Sequence, residues 1–166
     1  RHINDSASTW ANMWRLQISL GMIPYYMFVE RDTGAAHYFS VPLATAIDIF
    51  ALAYSMAPGT ARTVRGPSMS TGPGKVCVLG TETVAQQQVF VLKFIQAREP
   101  RWCHRIFFAE YDPEAVWFQQ LRPAFGEDQF FFEQEYADMR ANTANASSGQ
   151  VVAPWRDAFG AADVCT

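Results

Sequence analysis

The stretch Ile23-Pro24-Tyr25-Tyr26-Met27-Phe28-Val29 decides the fold class. It is too short for a helix and rich in strand formers. It carries apolar or aromatic residues on both faces, the pattern of a strand buried in a parallel sheet. Upstream, Asp5 or Ser6 is suited to cap a helix, Trp10, Met13, Trp14 and Ile18 recur at helical spacing, and Gly21 ends the run. Downstream, Arg31-Asp32-Thr33-Gly34 reads as a polar loop. Pro42 fits a first helical turn, and Leu43, Ala46, Ile47, Phe50, Leu52 and Tyr54 carry a helix to about Met56. Pro58-Gly59 stops it, and Ala61 to Arg65 reads as a second strand. Helix, strand, helix, strand in this rhythm predicts a parallel α/β barrel or a doubly wound sheet. In both, ligands gather at the loops following the strands, here residues 30–37 and 66–75.

The texture changes after Gly74. Lys75 to Gly80 and Val89 to Gln96 read as a hairpin pair around a polar turn, and Arg105 to Glu110 as another strand. Asp112-Pro113 is expected to open a short helix to about Leu121, and Phe130-Phe131-Phe132 to close the packed region. Beyond Tyr136 the chain is rich in Ala, Asn, Ser and Gly. The expected organisation is α/β units over 1–74, a small antiparallel β-rich extension over 75–136, and a flexible tail over 137–166. The chain opens on a loop and a helix start without an initiator methionine, as expected of a piece of a longer protein.

Composition narrows the function. The chain has 166 residues, 13 basic against 16 acidic, for a net charge of −3. That is the wrong sign for general nucleic-acid binding, which needs a basic footprint. An apolar fraction of 49% supports a packed core. The longest apolar run, Val41 to Met56, is broken by Pro42, Thr45 and Asp48, so no membrane partner is expected. Cys77, Cys103 and Cys165 are widely spaced, with no CxxC pair. They read as small buried hydrophobes in a reducing cytoplasm, and no metal ligands are expected.

Arg65-Gly66-Pro67-Ser68-Met69-Ser70-Thr71-Gly72-Pro73-Gly74-Lys75 is the sharpest local feature. Such a Gly/Pro-rich loop lets backbone N–H groups approach an anion. It is not a Walker A loop, because Val76 follows Lys75 and no helix follows. It reads either as an ordinary surface loop with a solvated lysine or as a rigid mount for an amine nucleophile. Glu30-Arg31-Asp32 reads either as a charged turn or as a ligand-facing group at a strand end. His37 reads as structural more readily than as a ligand, His104 more weakly still, and Tyr25, Tyr26 and Phe28 as core.

Asn4-Asp5-Ser6, Ile23-Pro24-Tyr25-Tyr26, Gly34-Ala35-Ala36-His37, Val41-Pro42 and Gly72-Pro73-Gly74-Lys75 occur in an order that resembles the C-terminal half of the lysine 2,3-aminomutase family. These are radical S-adenosylmethionine enzymes, and the resemblance covers residues 1–76, with 77–136 similar to the extension of a divergent branch. It implies the C-terminal part of a partial parallel barrel and pyridoxal phosphate held as an imine on Lys75, with Gly72 and Gly74 in its cradle. The family reaction is a 1,2-migration of an amino group in an amino acid, started by a radical from S-adenosylmethionine and a 4Fe-4S cluster. The cluster cysteines and the S-adenosylmethionine segment are expected in a missing N-terminal part, so the 166 residues alone are expected to be inactive. Lysine-using members hold the distal ammonium with two aspartates. The first maps here onto Glu30 or Arg31 and the second onto Arg65, of opposite charge, which points to an amino acid substrate other than lysine. Ser68 to Thr71 is an insertion relative to the family's all-glycine loop. The alternative is a non-catalytic relative serving as a structural or oligomerisation module, and a homo-oligomer is among the expected assemblies.

Overall fold

The computed structural model describes residues 1–31, 34–103 and 105–149. Asp32 of the acidic turn, His104, Cys165 and the last stretch of the expected tail, 150–166, lie outside the described residues. The chain divides into two units, Arg1–Phe131 and Phe132–Thr166.

In the first unit, helix α1 runs Ala7–Ser19, capped by Ser6, whose side chain accepts a hydrogen bond from the Thr9 N–H at 3.3 Å. Its buried stripe is Ala7, Trp10, Ala11 and Trp14. Strand β1 (Tyr26–Phe28), the short helix α2 (Ala36–Phe39), helix α3 (Leu43–Met56) and strand β2 (Arg65–Ser70) follow. Strands β3 (Gly74–Val84), β4 (Gln87–Ala97) and β5 (Ile106–Glu110) complete one five-stranded sheet in sequential order. β1 and β2 are parallel, joined through α3, and the remaining pairs are antiparallel. The protein is therefore α/β with a mixed, mostly antiparallel sheet. The parallel character expected of the first 74 residues is confined to the β1/β2 pair.

Two cores hold this arrangement. Trp10, Trp14, Met27, Ala53, Ala57, Ala61 and Val64 form one, with Phe50 edge-on to Trp14 at 5.9 Å. The small alanines of α3 let the two tryptophans of α1 approach closely. Phe94, Trp102, Phe107, Phe118 and Phe130 form the other, with ring centroids 5.4 to 6.5 Å apart. These spacings favour edge-to-face and tilted pairs.

Four expectations change. Ala61 to Arg65 is not the second strand: a 3-10 turn spans Gly59–Ala61, and the strand begins at Arg65. It runs through most of the expected Gly/Pro-rich loop, leaving only Thr71 to Pro73 as the turn. The reason lies at Gly66, where a Cβ would stand 2.6 Å from the Met27 carbonyl oxygen. This glycine marks close strand contact rather than a loop. The helix expected from Asp112 to Leu121 is a single 3-10 turn, Phe118–Gln120. The Gln120 side chain accepts from the Val116 and Trp117 N–H groups at 2.7 and 3.1 Å, taking the donors a helix would use and leaving Trp117 extended. In the second unit, helix α4 occupies Glu133–Gly149, where a tail was expected from residue 137.

Candidate functional site

Met27 packs into the helical core, so its neighbours Tyr26 and Phe28 lie on the opposite face of β1. Tyr25 and Phe28 are not core as expected, being 57% and 51% exposed, and Tyr26 is half-buried. Lys75 comes to this face. It is half-buried on β3, paired across to Ser70 at the end of β2 and to Gln96 on β4. Its ammonium stands 4.3 Å from the Tyr26 ring centroid and 5.0 Å from that of Phe28. Cation–π contacts of this kind contribute on the order of 0.5–2 kcal/mol, rising with desolvation. The amine thus sits beside the final turn of the parallel pair, over an aromatic floor.

Lys75 is held there by the turn before it. The Thr71 N–H and hydroxyl both donate to the Gly74 carbonyl, at 2.8 and 2.7 Å. Arg98, just past β4, donates its backbone N–H to the Pro73 carbonyl at 3.0 Å and its Nε–H to the Gly72 carbonyl at 2.8 Å. Gly74 is required: a Cβ there would meet the Ala97 Cα at 2.8 Å. Ser70, Thr71, Gly72, Gly74, Lys75, Gln96 and Arg98 line an open cleft of about 410 Å³ that contains no carboxylate.

The other expected residues separate. Arg65, at the start of β2, holds its guanidinium 5.4 Å from the Tyr25 centroid and 5.9 Å from that of Tyr26, so it and Lys75 flank the same ring. Glu30 lines a different cavity of about 250 Å³, with Asp5, Trp10 and Phe39. Its Oε2 is buried there without a hydrogen-bond partner. Phe28 is the wall between that cavity and the Lys75 amine. Arg31 is exposed and borders a recess with Phe28, Ser70 and Trp117. His37, in α2, is exposed. Lys75 and Arg65 flank the Tyr26 ring but line different cavities, and Glu30 lines a third.

Two residues escaped the sequence reading. Arg98 gives no local signal, because only the β3/β4 pairing brings it to the turn. Tyr26 was read as core, and its buried hydroxyl makes no hydrogen bond of good geometry, with the Tyr25 hydroxyl and the Arg65 guanidinium its polar neighbours. Burial pushes its phenol above the ordinary value of 10.0, the Tyr25 hydroxyl adds to that, and Arg65 partly offsets it.

With this geometry in view, the comparisons carry weight. Over 116 residues the chain is 28% identical to a protein of Aquifex aeolicus (strain VF5) named "Putative L-lysine 2,3-aminomutase". The match covers 70% of this chain and 30% of that protein, so the chain spans about 30% of its relative's length. No family model and no solved structure matches. The likeness supports a distant relationship to aminomutases and nothing finer. Among the described residues, no three His, Cys, Asp or Glu side chains gather as a metal-ligand set, and no helix is long and apolar enough to cross a membrane.

Proposed function

We propose that this chain is the lysine-bearing C-terminal portion of a longer pyridoxal-phosphate-dependent amino acid 2,3-aminomutase of the radical S-adenosylmethionine type. The observation that carries the reading is the half-buried Lys75 amine, set over Tyr26 and Phe28 at the end of the β1/β2 pair. In this reading β1, α3 and β2 are the last units of a parallel barrel. The face bearing Tyr26 and Phe28, opposite Met27, is then its interior.

The residues fit the cofactor. Lys75 would hold it by condensing with its aldehyde, releasing water. The aromatic floor matches a planar ring, and the adjoining cleft offers the Ser70 and Thr71 hydroxyls and the Arg98 guanidinium to an anion. When bound, pyridoxal phosphate supplies a delocalised π system that can accept an unpaired electron during amino-group migration. This chain's own part is to present the amine, to hold it through the turn braced by Arg98, and to screen one side from water with Tyr26 and Phe28. S-adenosylmethionine and the 4Fe-4S cluster are assigned to another part of the longer enzyme.

For the substrate, Glu30 and Arg65 pull in opposite directions. A buried, unpartnered carboxylate oxygen suits a cation, and Arg65 suits an anion. Arg65 flanks the same Tyr26 ring as Lys75, so its charge is taken to govern. The proposed substrate is an amino acid with an anionic or polar side chain. Full-length protein should turn over glutamate in preference to lysine, and a clear preference for lysine removes this part of the proposal.

The direct test is covalent capture. Titrating the chain with pyridoxal phosphate should produce an absorption band near the visible edge, and borohydride should fix the label on Lys75. Lys75→Ala should abolish both. A chain that takes no label at Lys75 fits a non-catalytic structural module instead.

A further inference from the structure

We propose that Tyr26 contacts the carbonyl compound that Lys75 captures, its ring serving as the floor and its hydroxyl donating a hydrogen bond to an acceptor on that compound. This rests on Lys75 being the capturing amine. The amine lies 4.3 Å from the Tyr26 centroid, so whatever is joined to it extends across or beside that ring. The hydroxyl oxygen is buried and makes no hydrogen bond of good geometry, although the Tyr25 hydroxyl and the Arg65 guanidinium lie near enough to act on it. Buried polar groups are ordinarily paired, and an unpaired one is a standing cost that a ligand acceptor would relieve.

Neighbouring side chains narrow the assignment to Tyr26. Tyr25 is 57% exposed and can bond water. Phe28 offers a ring without a polar handle. The Tyr26 ring itself is fixed from several sides: Tyr25 stands edge-on at 4.1 Å, Phe28 lies at 5.1 Å, and the Arg65 guanidinium lies at 5.9 Å. A ring so placed presents its hydroxyl in one direction. The ligand class that uses both features is a planar aromatic aldehyde bearing an oxygen or ring-nitrogen acceptor.

The test pairs the wild-type chain with Tyr26→Phe, which keeps the ring and deletes only the hydroxyl. Pyridoxal phosphate is titrated by absorbance, the adduct is reduced and mapped, and the Cζ resonance of ¹³C-labelled Tyr26 is followed. Tyr26→Phe should still label at Lys75 but bind about tenfold more weakly. In the wild type, the Tyr26 resonance should move as ligand is added, and the phenol titration should shift with it. Binding of the variant within twofold of wild type overturns the proposal, as does an unmoved resonance. If the wild type takes no label at Lys75, the amine reading fails. A Tyr26 resonance that still moves would then keep the contact and discard the anchor, and one that does not move overturns both.

Discussion

Replacing Gly74 with alanine tests the fold and the site at once. A Cβ at this position would stand 2.8 Å from the Ala97 Cα and closer still to the Gln96 carbonyl oxygen, all of it backbone of the neighbouring strand. Ordinary contact begins at 3.4 Å, so the Ala97 contact alone requires β4 to withdraw by about 0.6 Å at its end, and the Gln96 contact requires more. No side chain can rotate away to absorb this. Arg98 follows directly on β4, and its N–H bond to Pro73 is 3.0 Å long; a withdrawal of that size takes it past hydrogen-bonding range. Overpacking of this kind costs about 1–3 kcal/mol. For a unit of this size the melting temperature should fall by roughly 5–10 °C. Gly80 is the control, since it lies in the same strand and a Cβ there meets nothing within 4 Å. Gly80→Ala should be neutral or stabilising by about 0.4–1 kcal/mol, through the unfolded chain. Calorimetry of both variants, with borohydride labelling of Lys75, makes the comparison. If Gly74→Ala melts with Gly80→Ala and labels as wild type does, the strand contact does not set the position of the amine, and the reasoning fails.

Other consequences are separately measurable. Ala85 and Gln86 close the β3/β4 hairpin with φ of 49° and 66°, so replacing them with Asn-Gly should stabilise the protein by about 1–2 kcal/mol in urea unfolding, and no gain would contradict the turn geometry. Ser6→Ala removes the side-chain cap of α1 and should cost about 1 kcal/mol, with Ser6→Gly milder; equal stability of all three would remove the cap from the account. Burial raises the Cys77 thiol above its ordinary 9.0, an effect that Lys93 partly offsets. A proton held more tightly when folded means that stability is complete below the unfolded thiol value and declines as pH climbs through and above it. Wild type should therefore lose stability above about pH 9, the ordinary thiol value, more steeply than Cys77→Ala. Parallel pH profiles would contradict the assignment.

The helices and the hairpin were legible because their signals are local. Ser6, the Trp10/Trp14 spacing and Pro42 place α1 and α3 to the residue or nearly so. The alternating apolar runs on either side of residues 85 and 86 place β3 and β4. What was not legible depends on partners distant in sequence. Gly66 looks like a loop residue until Met27 is set against it, and Gly74 until Ala97 is. Asp112 to Leu121 has helical composition, and a single glutamine side chain diverts its backbone. The aromatic run of β1 was read as buried on both faces, yet α1 and α3 cover only the Met27 side.

That last difference bears on function. Tyr25 and Phe28 are exposed, and Arg65 and Lys75 lie over the rings of the same strand without a carboxylate bonded to either among the described residues. If this face served only to stabilise the sheet, aliphatic side chains covered by a third helix would suffice. Keeping the two cations on the rings leaves two positive charges near one phenol whose hydroxyl makes no hydrogen bond of good geometry. The cation–π contacts are modestly favourable by themselves, whereas the poorly paired hydroxyl and the mutual repulsion of the two cations are relieved by a planar ligand that brings an anion and a hydrogen-bond acceptor. These features support the proposal that Lys75 acts as an amine nucleophile, over a solvated surface lysine.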